Sequence, residues 1–191
     1  MVCMERRIAE VLTSRESRQI KDEKFAPAAV LLLVFEREGE CHILFTKRSD
    51  KVPHHKGEIS FPGGTVDPDD RDFLHTALRE GTEEIGLDSR DVTILGRLDD
   101  IFTVTTGFII TPYVGIIPHP YPFQVNRDEI SELIFLPLRA LGEESQVKTS
   151  RVTWEGKKIV LYDFHVRGHI IWGATARILK QFIDLTYEPQ K

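Results

Sequence analysis

The sequence predicts one mixed α/β domain. Three observations carry this. Apolar runs of strand length are bounded by turn residues, helical periodicities alternate with them, and a length of 191 residues suits one domain with a core that needs no staples. No internal repeat and no linker-like stretch divides the chain.

The elements follow in order. Met4 to Lys24 mixes both charges with Ile8, Val11, Leu12 and Ile20, and reads as a leading helix closed by Pro27. Residues 1–24 are therefore expected to form an N-terminal helical extension and residues 25–191 the main domain. Ala28 to Phe35 is a continuous apolar strand, Glu36 to Glu40 a polar turn containing Gly39, and Cys41 to Thr46 the second arm of a hairpin. A long loop from Lys47 to Asp70 follows, with Ile59, Phe61 and Val66 indicating that part of it packs. Asp69 and Asp70 make an acidic start for a helix that runs to about Ile85, and Gly86 stands where a C-terminal cap belongs. Val92 to Leu98, Thr111 to Ile117 and Glu132 to Leu136 are further strands, with Pro118, Pro120 and Pro122 marking a loop. Val152 to Trp154 and Ile159 to Val166 form a hairpin about Glu155-Gly156-Lys157, and Trp172 to Leu185 is a closing helix, with Trp172 expected in the core.

Composition narrows the function. Lys plus Arg number 25 against 30 Asp plus Glu, a net charge of −5, which argues against a nucleic-acid surface. The longest apolar run, Ala28 to Phe35, falls far short of the ~20 residues of a membrane span, and no signal-peptide pattern is expected at the N-terminus. Two cysteines, Cys3 and Cys41, make no disulfide framework, so a reducing cytoplasm is expected. Composition neither demands nor excludes a homo-oligomer.

The most informative stretch is FPGGTVDPDDRDFLHTALREGTEEIGL, Phe61 to Leu87. At about 100° per residue, Glu80, Glu83 and Glu84 share one helical face beside an apolar stripe of Leu74, Leu78 and Ile85. Crowded carboxylates repel, and a hard cation such as Mg²⁺ or Mn²⁺ would remove that penalty through oxygen ligation. A solvated acidic face is the other reading. Two features point to a site: glycines just upstream permit close backbone approach, and the acids sit towards the helix C-terminus, where the dipole disfavours them. No phosphate loop of the G-x-x-x-x-G-K-S/T type, dinucleotide fingerprint, zinc pattern or G-x-S-x-G elbow competes.

This stretch resembles the box of the Nudix hydrolases, G-x5-E-x7-R-E-U-x-E-E-x-G-U with U a bulky apolar residue. Gly64, Arg79, Glu80, Glu83, Glu84, Gly86 and Leu87 match. Asp70 stands where the first Glu belongs, one extra residue separates it from Arg79, and Gly81 replaces the first U. The resemblance implies an α/β/α sandwich with a mixed sheet and metal-dependent cleavage of a nucleoside diphosphate linked to another moiety. The preceding loop is similar to the coenzyme A pyrophosphatase branch, L-L-T-x-R-S/A-x3-R-x3-G-x3-F-P-G-G, at Leu44, Thr46, Arg48, Ser49, Gly57, Phe61, Pro62, Gly63 and Gly64. Phe45 replaces the second Leu, and Pro53 the second Arg, which removes a positive charge. Thr106-Gly107, Thr111-Pro112, Val114 to Pro118, Asp128-Glu129 and Trp172-Gly173 extend the likeness.

By this resemblance Glu80 and Glu84 are the main ligands of Mg²⁺ or Mn²⁺. Glu83 contributes a ligand or a water contact, and the Gly64 carbonyl is a further candidate. Arg79 orients a box glutamate, or is a plain helix salt bridge. Glu129 is a general base or extra ligand, or else an exposed loop acid. Arg48, with Ser49, His54 and His55, is the candidate substrate-binding group, and Lys56 adds positive charge nearby. The implied reaction is hydrolysis of coenzyme A or its derivatives to 3′,5′-ADP and 4′-phosphopantetheine. The alternatives are the same chemistry on ADP-ribose, NADH or an oxidised nucleotide, and a non-catalytic nucleotide-binding module, which should have lost box acids.

Overall fold

The apolar run becomes the strand around which the molecule is built. The computed structural model describes residues 2–52, 55–103, 105–154 and 156–187. An eight-stranded sheet holds β1 (Ala26–Arg37), β2 (Glu40–Arg48), β3 (Ile59–Ser60), β4 (Gly63–Thr65), β5 (Thr93–Arg97), β6 (Ile101–Phe102), β7 (Phe108–Ile116) and β8 (Ile130–Pro137). β1 pairs antiparallel with β2 and β4 but parallel with β7, so the sheet is mixed. A second, antiparallel sheet orders β11 (His169–Ile171), β10 (Lys157–Val166) and β9 (Val147–Trp154). The helices are α1 (Val2–Thr13), α2 (Phe73–Ile85), the short α3 (Leu138–Leu141) and α4 (Gly173–Thr186).

β1 is apolar from Ala26 to Phe35 because both faces of its central part are covered. Ala29, Leu31, Leu33 and Phe35 pack with Ala77 and Ile85 of α2. Leu32 and Val34 face the opposite way, into a core shared with Ile8 and Leu12 of α1 and with Ile178, Leu179 and Phe182 of α4. The result is the expected α/β/α layering. No helix among the described residues is long and apolar enough to cross a membrane.

Several elements depart from the sequence reading. The leading helix ends at Thr13 rather than running to Lys24. Beyond it the backbone finds partners on the Asp99-Asp100 turn: the N–H groups of Arg18 and Ile20 donate to those carboxylates at 2.9 Å each, and Arg15 pairs with Asp99. Pro27 therefore closes no helix; it is the second residue of β1, and its carbonyl accepts the Val66 N–H at 3.1 Å. The loop from Lys47 to Asp70 contains β3 and β4, with Ile59 and Phe61 buried. Trp172 is 51% exposed instead of buried, because it stands at the N-cap of α4 where the chain leaves the second sheet. Pro53, His54 and Glu155 lie outside the described residues.

Candidate active site

α2 carries the acids, and its two ends are fixed by different devices. At its start the cap is Asp72, whose Oδ1 accepts the His75 N–H at 2.8 Å, and not Asp69 or Asp70. At its end Gly86 adopts a left-handed φ of 68°, and a side chain there would meet Gln124 Cβ at 2.6 Å. Gly81 is on the buried face: a Cβ at that position would meet Leu87 Cδ2, just past the helix, at 3.1 Å and Leu31 Cδ2 of β1 at 3.8 Å.

The three glutamates do not share one environment. Glu84 is 2% exposed and shares the buried face of α2 with Ala77 and Gly81. Glu80 is partly covered and lies against Gly64, where a Cβ would fall 2.5 Å from the Glu80 Cδ and Oε1. Glu83 is turned outward, its side chain 54% exposed, and pairs with Arg79 Nη1 at 3.1 Å. Arg79 is the organiser of this face. Nη1 also reaches Glu80 Oε1 at 3.0 Å and Nη2 donates to the Thr65 carbonyl at 3.2 Å, while Nε and Nη2 grip Asp70 at 3.0 and 3.1 Å. Asp70 also accepts from Thr76 Oγ1 at 2.8 Å and from the Asp67 N–H at 2.9 Å. Those bonds, led by Arg79, hold its carboxyl well below the usual carboxylate range.

Glu84 is the opposite case. Burial, then the charge of Glu80, pushes its pKa up to about 8, against the opposing influence of Arg48 and the Gly63 N–H. Burial likewise raises Glu80, with Arg79 opposing it. Glu129 raises both, so its charge faces the same space.

The sheet brings Arg48 and Glu129 there. β2 and β8 pair as far as Arg48 and Ile130, with an irregularity between Lys47 and Arg48 that turns the end of β2. The Ser49 N–H donates to the Glu129 carbonyl at 2.7 Å, and Ser49 itself is buried, its Oγ accepting the Lys51 N–H at 3.2 Å. Asn126, which the sequence analysis did not single out, joins this group: Nδ2 donates to Glu129 Oε1 at 3.0 Å. Its one advance signal is an Asx-turn pattern, Oδ1 accepting the Asp128 N–H at 3.1 Å, which is common to many loops. His55 is not part of the inner group; it is exposed and pairs with Glu58 Oε2 at 3.0 Å.

Two buried polar atoms here have no partner among the described residues: Glu84 Oε2 and Arg48 Nε. A buried carboxylate oxygen left unsatisfied costs free energy unless something else occupies it. Among the described residues no three carboxylate, imidazole or thiol groups converge to cage a metal alone. Two carboxylates with open coordination are nonetheless the donor set that Mg²⁺ favours when substrate phosphates supply further oxygens. The residues fit a divalent cation.

Comparison with known proteins agrees. The NUDIX domain model matches residues 24–155, which spans every site residue from Arg48 to Glu129. The chain belongs to the Nudix family. Among its Nudix relatives is the Uncharacterized Nudix hydrolase NudL of Yersinia pestis (strain Pestoides F), 35% identical over 153 residues, covering 80% of this chain and 76% of the relative. The counterpart in Yersinia pseudotuberculosis serotype O:1b (strain IP 31758) matches equally, at 35% over 153 residues. The MutT/nudix family protein from Enterococcus faecalis shares the fold with a TM-score of 0.59 at 17% identity, covering 93% of this chain and 69% of that one. The C. elegans Ap4A hydrolase binary complex gives a TM-score of 0.52 at 23% identity, covering 59% of this chain and 80% of that one. Nudix hydrolases act on nucleoside diphosphate derivatives and generally need divalent metal ions.

Proposed function

We propose that this Nudix hydrolase cleaves the pyrophosphate bond of coenzyme A or its derivatives, releasing 3′,5′-ADP and 4′-phosphopantetheine, with Mg²⁺ or Mn²⁺. The observation that carries the substrate class is Arg48. It lies in the segment that resembles the coenzyme A branch, and its buried Nε has no partner among the described residues. A guanidinium with an unpaired nitrogen beside a carboxylate cluster is suited to an incoming phosphate.

Glu80 and Glu84 are the proposed principal metal ligands, with the Gly64 carbonyl as a third. Glu83 acts from the outer side, through Arg79. These residues would hold a divalent cation, which would supply charge neutralisation of the pyrophosphate and a lowered pKa for the attacking water. Arg79 holds Glu80 against Gly64 and so fixes one ligand. Glu129 is the proposed general base: Oε1 is held by Asn126, leaving Oε2 to take the proton of the attacking water. Arg48 is the cation proposed to pair with the 3′-phosphate of the substrate. The exposed His55 and Lys56, between β2 and β3, are further candidates for contact with the substrate. The two cysteines support a reducing, cytoplasmic location.

Pro53, which stands where the branch has an arginine, favours a second reading: the same chemistry on ADP-ribose, NADH or an oxidised nucleotide. Steady-state kinetics decide between them. Coenzyme A carries a 3′-phosphate that ADP-ribose and NADH lack, and a site that pairs a cation with it rejects analogues without it. The kcat/KM for coenzyme A should exceed that for 3′-dephospho-coenzyme A, and Arg48→Ala should shrink the gap. More efficient cleavage of ADP-ribose or NADH than of coenzyme A would overturn the substrate assignment and leave the Nudix chemistry standing.

A further inference from the structure

We infer that Asn126 is a positioning residue for Glu129, fixing its carboxylate at a set distance from the last turn of α2. The inference rests on the reading of Glu129 as general base.

Every polar group of Asn126 is committed. Its N–H donates to the Glu84 carbonyl at 2.9 Å, and its own carbonyl accepts the N–H groups of Glu129 and Ile130 at 3.1 and 2.8 Å. Its Oδ1 accepts the Asp128 N–H at 3.1 Å, and its Nδ2 donates to Glu129 Oε1 at 3.0 Å. The amide orientation follows from these partners. Turning it over would set an oxygen against a carboxylate and an NH₂ against an N–H. Two hydrogen bonds in series therefore connect the main chain of Glu84 to the carboxylate of Glu129. The Ser49 N–H holds the Glu129 carbonyl from the other side at 2.7 Å.

The arrangement answers a physical problem. Glu129 faces Glu80 and Glu84, whose like charges drive it away from the site. A neutral donor on Oε1 opposes that drift without neutralising the base, and it leaves Oε2 free. Only an amide of this length supplies both the acceptor that closes the turn and the donor that holds the acid. Aspartate keeps the acceptor but replaces the donor with a repelling oxygen. Alanine loses both.

The test compares Asn126→Asp and Asn126→Ala, each with and without Glu129→Gln, at saturating Mg²⁺. The substrate is whichever of coenzyme A, ADP-ribose and NADH is cleaved fastest. Asn126→Asp should melt nearer the parent than Asn126→Ala does, because the turn is kept. Its kcat should nevertheless be the lower of the two, with Asn126→Ala down about tenfold and KM within about twofold in both. With Glu129→Gln present, Asn126→Asp should cost less than about twofold more, since the introduced amide can donate to the introduced carboxylate. Activities that rank as the melting temperatures rank, or effects that simply multiply with Glu129→Gln, would assign Asn126 to turn structure alone. If Glu129→Gln itself leaves kcat within about twofold, the reading of Glu129 fails and takes this inference with it. If Glu129→Gln is severe and both Asn126 variants stay within about twofold, only the inference falls. Should Asn126→Ala not fold, Asn126→Asp and the double variant still decide.

Discussion

Asp70 and Glu84 are both carboxylates enclosed by protein, one just ahead of α2 and the other in its last turn. The Asp70 side chain is 1% exposed and takes hydrogen bonds from Arg79, Thr76 and the Asp67 main chain, with His75 Nδ1 also at 2.9 Å. Glu84 is 2% exposed, and its Oε2 meets no donor among the described residues. The same functional group is thus satisfied at one end and left wanting at the other. A satisfied buried acid stabilises the fold, whereas an unsatisfied one costs stability until a cation arrives. Burial alone does not distinguish structure from site; the count of partners does.

Exchanging each acid for its neutral amide should break the symmetry of that comparison. Glu84→Gln should cut kcat by at least ~10² at saturating metal. It should leave the metal-free protein as stable as the parent or more so, because it removes a carboxyl whose ionisation burial penalises and whose Oε2 has no partner among the described residues. Near-parental kcat in that variant would refute its assignment as a ligand. Asp70→Asn should instead act mainly on stability, by about 2–3 kcal/mol, since it leaves Arg79 without its main partner. Urea unfolding alongside steady-state kinetics checks both, and a variant pair with matching losses of stability and activity would erase the distinction.

The two acids also predict opposite responses to pH in EDTA. Asp70 has a folded pKa below its unfolded value of about 3.9, so its contribution is present above that pH and is lost as the pH falls. Glu84 has a folded pKa raised to about 8 from an unfolded value of about 4.3. Its contribution is complete below the lower value and is lost as pH rises through the upper one. Stability of the metal-free protein should decline between about pH 4.5 and 8. The decline should flatten in Glu84→Gln and persist in Asp70→Asn. A parent curve already flat over that interval would mean that Glu84 ionises there without penalty.

The smallest effect is expected at Glu83, the exposed member of the trio. Glu83→Gln should change kcat by no more than about threefold, as for other solvent-facing positions, because Arg79 keeps its bonds to Asp70 and Glu80. A loss as deep as that of Glu84→Gln would put Glu83 among the direct ligands despite its outward orientation.

Much of this was legible in the residues. The FPGG turn, the R-E-x-x-E-E run and the glycine after it locate the acids and place them on a helix, because helical spacing and cap chemistry are local properties. The apolar run at Ala28 announces a strand buried on both faces for the same reason. Charge balance and the short apolar runs set an expectation against nucleic-acid and membrane partners without reference to the fold. The end of α1 was not legible, since Asp99 and Asp100, some eighty residues away, offer the backbone after Thr13 better partners than another helical turn.

Other features were decided only by tertiary contacts. Periodicity placed Glu80, Glu83 and Glu84 on one face. It could not say that the packed fold would bury the last of them while Arg79 paired with the second on the exposed side. Nor could it say that Asp70 would bind Arg79 across nine residues instead of capping α2, or that Asn126 would close on Glu129. A sequence records which groups can donate and accept, but the partner each one meets depends on which chain segments the packed sheet and helices bring within about 3 Å.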